Sequence, residues 1–138
     1  MKNQPQSCEK TLDEFNVELE DLRAYTNRSS EASPNERQSR ELIDVFEKTH
    51  ELALTVIKKY FAQIDIGPFS GSRDLTVEAF HADLIDDGKA WLDIIIDRIQ
   101  YNPIYDIDTQ EQFIINIKKK YLRLLEKFSD TMGKKLNE

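Results

Sequence analysis

Apolar residues recur along the chain at intervals of three and four rather than alternating one by one, so the pattern predicts helices throughout. Leu12, Phe15, Leu19 and Leu22 mark one stripe of a first helix over residues 12–25. The polar run NRSSEASPNE interrupts the pattern and holds a helix-start signature: Ser33 as cap, Pro34 at the first helical position and Glu36 three residues past the cap. A second helix therefore starts near Pro34 and continues to about residue 64 through Leu42, Phe46, Ala53, Ile57 and Tyr60. Its LALTVI segment, residues 52–57, is apolar on nearly every side, which places this helix at the centre of a bundle. After the turn IGPFSGS, a third helix carries Leu75, Val77, Phe80 and Leu84. Asp86-Asp87-Gly88 breaks it, with Asp87 as cap for a second segment bearing Trp91, Leu92, Ile95 and Ile99. A last helix starts at Asp108, where Glu111 completes a capping box, and reaches Met132 before Gly133. Its inward stripe is Ile114, Ile117, Tyr121, Leu124, Leu125 and Phe128. The expected fold is all-α: an antiparallel four-helix up-and-down bundle whose third helix is broken into two segments, over residues 11–133, with flexible tails at 1–10 and 134–138.

Composition narrows the function. A net charge of -7 opposes general affinity for a phosphate backbone, which depends on clustered Lys and Arg releasing counterions. Cys8, the single cysteine, has no partner for an intramolecular disulfide and reads as an exposed, inert thiol. No apolar run approaches the roughly 20 residues needed to cross a bilayer, and no signal peptide is recognisable, so a cytoplasmic protein is expected.

Several motifs carry candidate chemistry. The acidic run before Gly88 fails as a calcium loop, because Ile85 and Ile94 fall where oxygen ligands are required. Glu47 with His50, and Glu78 with His81, repeat the Glu-x-x-His spacing by which di-iron carboxylate bundles aim a carboxylate and an imidazole at one metal pair. The inward stripe of the last helix supplies no bridging glutamate, so the expectation is no metal and two solvated or interfacial histidines. Lys118, Lys119 and Lys120, with Arg123 and Lys127, read as a solvated basic face. In DRIQYNPIYD, residues 97–106, Arg98 complements the negative end of a helix and Pro103 biases Asn102 away from helical geometry. Asp106 or Asp108 caps the next helix, and the ring of Tyr105 packs on the bundle end.

Taken in order, Phe46-Glu47, Glu51-Leu52-Ala53, Gly71-Ser72-Arg73-Asp74, Glu78-Ala79-Phe80, Leu84 to Gly88, Trp91-Leu92, Asp97-Arg98 and Tyr105-Asp106 give the chain its resemblance. It resembles nucleotidyltransferase substrate-binding proteins, four-helix members of the HEPN superfamily that pair with a separate minimal nucleotidyltransferase. The likeness runs from about Leu12 to Leu125. HEPN toxins carry Arg-x-x-x-x-His-x-Tyr, with arginine and histidine acting on RNA and the tyrosine adenylylated by the partner. Here Arg98 and Tyr105 match, Pro103 stands at the histidine, and Ile99 replaces the asparagine that commonly follows the arginine. Proline can neither give nor take a side-chain proton, so the acid/base half of RNA cleavage is missing. His50 stands where the family pattern has an aromatic, and Leu54 where it has a tryptophan.

The resemblance implies a non-catalytic binding subunit without a cofactor, in a toxin-antitoxin-like module with a minimal nucleotidyltransferase. Arg98, Tyr105 and Asp106, joined by Glu47 and His50, would line a cleft for a nucleotide or RNA. Tyr105 would be the adenylylation site. In HEPN dimers two such clefts face each other, which implies a homodimer. The alternatives are a metal-independent ribonuclease toxin using Arg98 with a displaced base, and the di-iron bundle using Glu47, His50, Glu78 and His81.

Overall fold

The structure is a computed structural model that describes residues 7–28, 36–101 and 107–137. The described residues are helical apart from short turns and contain no strand. The chain runs through α1 (Cys8–Arg28), α2 (Glu36–Gln63), α3 (Ser72–His81), α4 (Gly88–Gln100), α5 (Ile107–Asn116) and α6 (Leu122–Leu136). A π-helical turn, Ile117–Tyr121, joins α5 to α6 without a break, so these form one rod. Five rods therefore stand among the described residues where the sequence predicts four, because α3 and α4 are separate helices. Asp83 between them takes φ 64, a left-handed conformation that ends α3, while Leu84 and Ile85 turn into the core. Asp87 accepts a hydrogen bond from Ala90 N at 3.1 Å and starts α4, as its sequence position predicts.

α2 is the central element, touching α1, α3, α5 and α6. Its Ala53, Val56 and Ile57 are fully buried, which follows from a segment apolar on all sides. α1 begins at Cys8, four residues before the first predicted stripe residue, and that spacing adds the thiol to the face of Leu12, Phe15, Leu19 and Leu22. Cys8 is thus a core residue, 1% exposed, rather than the surface thiol expected from its polar neighbours. Burial, reinforced by the charge of Glu9, pushes the thiol up to about 11, so it is an unreactive small hydrophobe.

Two predicted stripes are rotated. In α3 the buried residues are Leu75, Thr76 and Ala79, while Phe80 is 44% exposed and lies across the backbone of Gly88. A Cβ at Gly88 would meet the Phe80 ring at 3.1 Å, so the glycine makes room for the crossing. In α4 the buried residues are Trp91 and Ile94, and Ile96 and Ile99 face outward. The capping segment at Ser33 and Pro34 lies outside the described residues. No helix among the described residues is long and apolar enough to cross a membrane.

Candidate functional site

α2 and α4 bring together three residues separated by up to 51 positions in the sequence: Glu47, His50 and Arg98. Arg98 sits in the last turn of α4, where a cation complements the macrodipole. Its Nη1 donates to His50 Nδ1 at 2.9 Å and to Glu51 Oε2 at 2.8 Å, and its Nε lies 3.7 Å from Glu47 Oε2. Glu47, His50, Glu51 and Leu54 recur at helical spacing, so α2 presents them on one face. That face, with Ser72, Ile95, Arg98 and Ile99, lines a cleft of about 260 Å³.

His50 is 1% exposed, stacked on Phe46 with centroids 6.2 Å apart and tilted against Trp91 at 6.0 Å. Burial first, and the Arg98 charge second, push its imidazole down to about 3. A guanidinium only donates, so Nδ1 accepts and the single imidazole proton resides on Nε2. Nε2 is buried and has no hydrogen-bond partner among the described residues. At neutral pH this ring is therefore a fixed acceptor for Arg98 and a poor base. Burial pushes the Glu47 carboxyl up, with the Arg98 charge pulling the other way.

The neighbouring residue, Asp97, faces the π-helical turn. Its Oδ2 accepts from Tyr121 Oη at 2.5 Å and Asn116 Nδ2 at 2.9 Å. Tyr121 is buried and stacks on Phe46 at 5.7 Å, so Phe46 lies between the tyrosine and His50. Burial, then the hydrogen bond to Asp97, push the Tyr121 phenol up, so it stays a donor. This network fixes the end of α4 from which Arg98 projects. Sequence reasoning missed Asn116 and Tyr121 as supports, because a π turn leaves no signature in a three-and-four apolar spacing.

Tyr105 and Asp106 lie outside the described residues, as does Pro103. The two Glu-x-x-His pairs do not converge. His50 is buried against Arg98, whereas His81 is an exposed side chain at the end of α3, 3.9 Å from its own Glu78. No group of three or more His, Cys, Asp or Glu side chains suited to a metal ion occurs among the described residues. The di-iron geometry is not formed.

The described residues form an all-helical fold in which a partly exposed arginine-histidine-carboxylate cluster joins the second and fourth helices. Residues 10–134 match the family described as nucleotidyltransferase substrate binding protein like, and the chain belongs to that family. No curated protein matches the chain.

Proposed function

We propose that this protein is a non-catalytic substrate-binding subunit of the HEPN type that works with a separate minimal nucleotidyltransferase, in a toxin-antitoxin-like module. The observation that carries this reading is the Arg98 cleft. It has a positioned guanidinium and hydrogen-bond acceptors, yet its one imidazole is held neutral and spent as an acceptor for Arg98. Recognition groups are present, and the imidazole that would serve as the base is driven away from neutrality, which suits binding rather than cleavage. The transferase chemistry then resides in the partner, and Tyr105 is the residue it adenylylates. The ribonuclease reading gains no support from His50, whose basicity is too low to replace the histidine missing at Pro103. Affinity capture of the tagged chain from its native cells, with intact-mass analysis, tests the proposal. A co-purifying small nucleotidyltransferase or an adenylate adduct on Tyr105 is expected. Capture of no such partner, with an unmodified chain that cleaves RNA, would overturn it.

The same proposal includes a homodimer formed through α4. Leu92, Ile95, Ile96 and Ile99 recur at three, one and three, and so form one apolar stripe. Ile96 is 47% and Ile99 77% exposed, an unusual display of isoleucine on a charged chain. Ile95 and Ile99 also wall the Arg98 cleft, so a second α4 laid against them closes it. Light scattering after gel filtration is expected to show a dimer for the native chain and a monomer for Ile96→Asp combined with Ile99→Asp. A native monomer at high concentration would remove the dimer.

A further inference from the structure

Arg98 and Glu51 do not spend all their hydrogen-bonding capacity on each other. Arg98 Nη1 serves His50 Nδ1 and Glu51 Oε2, and Arg98 Nε lies 3.7 Å from Glu47 Oε2. A guanidinium has further N–H groups to give, and a carboxylate has two oxygens to accept with. Among the described residues Arg98 Nη2 donates to nothing and Glu51 Oε1 accepts from nothing. A hydrogen bond of 2.8 Å ties the two groups together, so a free donor and a free acceptor stand close to one another on the lining of the cleft. The Arg98 side chain is 22% exposed and rests on buried His50, whereas that of Glu51 is 62% exposed, which puts the free acceptor at the mouth.

Charge decides against a phosphate in this cleft. Glu47 and Glu51 bring two negative charges, Arg98 brings one positive charge, and the His50 imidazole is uncharged. An entering anion meets net repulsion, while a neutral group with an N–H meets an acceptor in excess. The walls beside the pair are apolar, Leu54 from α2 and Ile95 and Ile99 from α4. A volume of about 260 Å³ lies below the roughly 300 Å³ at which sites for drug-sized ligands begin, so the cleft suits one flat ring system. Nucleobases have that shape, and their edges set N–H donors beside carbonyl or ring-nitrogen acceptors.

We infer that the cleft takes the base of its ligand, and that Glu51 determines specificity by accepting an N–H from the base edge while Arg98 Nη2 donates to the acceptor beside it. The inference rests on the substrate-binding reading above and deepens it. The phosphate of a nucleotide stays outside the cleft, and Arg98 reads a base edge instead of an anion. A free nucleoside and an unpaired base of RNA offer the same edge.

Calorimetric titration of the native chain and of Glu51→Ala tests the inference with two pairs of nucleosides. Purine riboside is adenosine without its exocyclic amine, and 3-methyluridine is uridine with its ring N–H blocked. In the native chain, loss of the N–H is expected to weaken the base that binds about tenfold or more, the scale of a hydrogen bond to a charged group. In Glu51→Ala the two members of that pair are expected to bind within about twofold of each other, because the coupled partner is gone. A merely structural role for Glu51 would weaken both members alike, and that result overturns the proposal. The 5′-monophosphate is expected to bind no more tightly than its nucleoside. A tighter monophosphate, with no effect of the N–H, would mean that Arg98 meets the phosphate; the base assignment then fails and the substrate-binding reading stands. Competition by a short single-stranded oligoribonucleotide separates the two sources of the base. Stronger competition that Glu51→Ala abolishes assigns the base to a strand, competition equal to the nucleoside assigns it to a free molecule, and both uphold the role of Glu51. If no nucleoside, monophosphate or oligoribonucleotide binds the native chain, the nucleotide reading fails and this inference with it. Glu51 is exposed and alanine is a good helix former within α2, so the circular dichroism of the variant is expected to match that of the native chain.

Discussion

Lowering the pH from about 7 to about 5 is expected to destabilise the chain by about 2 kcal/mol, and His50→Phe is expected to abolish most of that loss. The imidazole titrates at 6.5 when unfolded and is pushed down to about 3 in the folded chain. Between those values the unfolded chain binds a proton that the native chain refuses, so protonation favours unfolding. The contribution to stability is complete above pH 6.5 and is lost as pH falls toward about 3, at about 1.4 kcal/mol per pH unit. Glu47 acts in the opposite sense. Its carboxyl is raised by burial, so the native chain takes up that proton first and gains relative stability in acid. A phenyl ring at position 50 keeps the stack on Phe46 and removes the buried Nε2 donor, an orphan that costs about 1–3 kcal/mol. Arg98 loses one acceptor but retains Glu47 and Glu51. Urea unfolding across the pH range, at constant dependence on denaturant, measures the slope directly. If the His50→Phe slope matches that of the native chain between pH 5 and about 6.5, the proton is taken up elsewhere and the buried neutral imidazole is refuted.

What the sequence made legible, and what it did not, follows from how each helix is held. α1 and the α5–α6 rod each lie against the core along most of their length, so their stripes through Phe15 and Leu22, or Ile117 and Phe128, are readable from spacing alone. Helix spacing also carried Glu47 and His50 to one face of α2. That Arg98 meets them was implied by family resemblance, and the chain's own periodicity has no means of showing a contact across 48 positions. α4 misleads for a physical reason. It is short, and it docks by one edge through Trp91 and Ile94, leaving an apolar face that a stripe count assigns to the interior. Lys118 to Lys120 read correctly as a polar run, with Lys119 and Lys120 exposed, but nothing in that composition announces a π turn. The extra residue in that turn helps place Tyr121 Oη on Asp97, beside Arg98. Tyr105 and Asp106 remain expectations of the resemblance, since they lie outside the described residues.

The largest single loss is expected at Trp91, where replacement by alanine should cost about 3–5 kcal/mol, a large part of the stability of a domain this size. The indole is 2% exposed and meets Phe128 of α6 edge to face at 5.4 Å and His50 of α2 at 6.0 Å. One side chain therefore joins α4 to two rods at once. The principal neighbours of α4 are otherwise α3 and the π turn, so few other contacts can compensate. Removal leaves a void beside His50 that rigid neighbours fill poorly, whereas Trp91→Phe keeps the ring contact and is expected to cost less. Because this is the sole tryptophan, unfolding of the variant must be followed by far-ultraviolet dichroism rather than indole fluorescence. Hydrogen exchange separates two outcomes that dichroism merges. If Trp91 is the anchor of α4, amides of that helix open well before those of α1 and α2, and ligand affinity falls even where the fold survives, because Arg98 is carried on α4. A loss below about 1 kcal/mol, or uniform exchange across the chain, would show that α4 is held by its backbone neighbours and that Arg98 owes its position to Asp97 and the π turn instead.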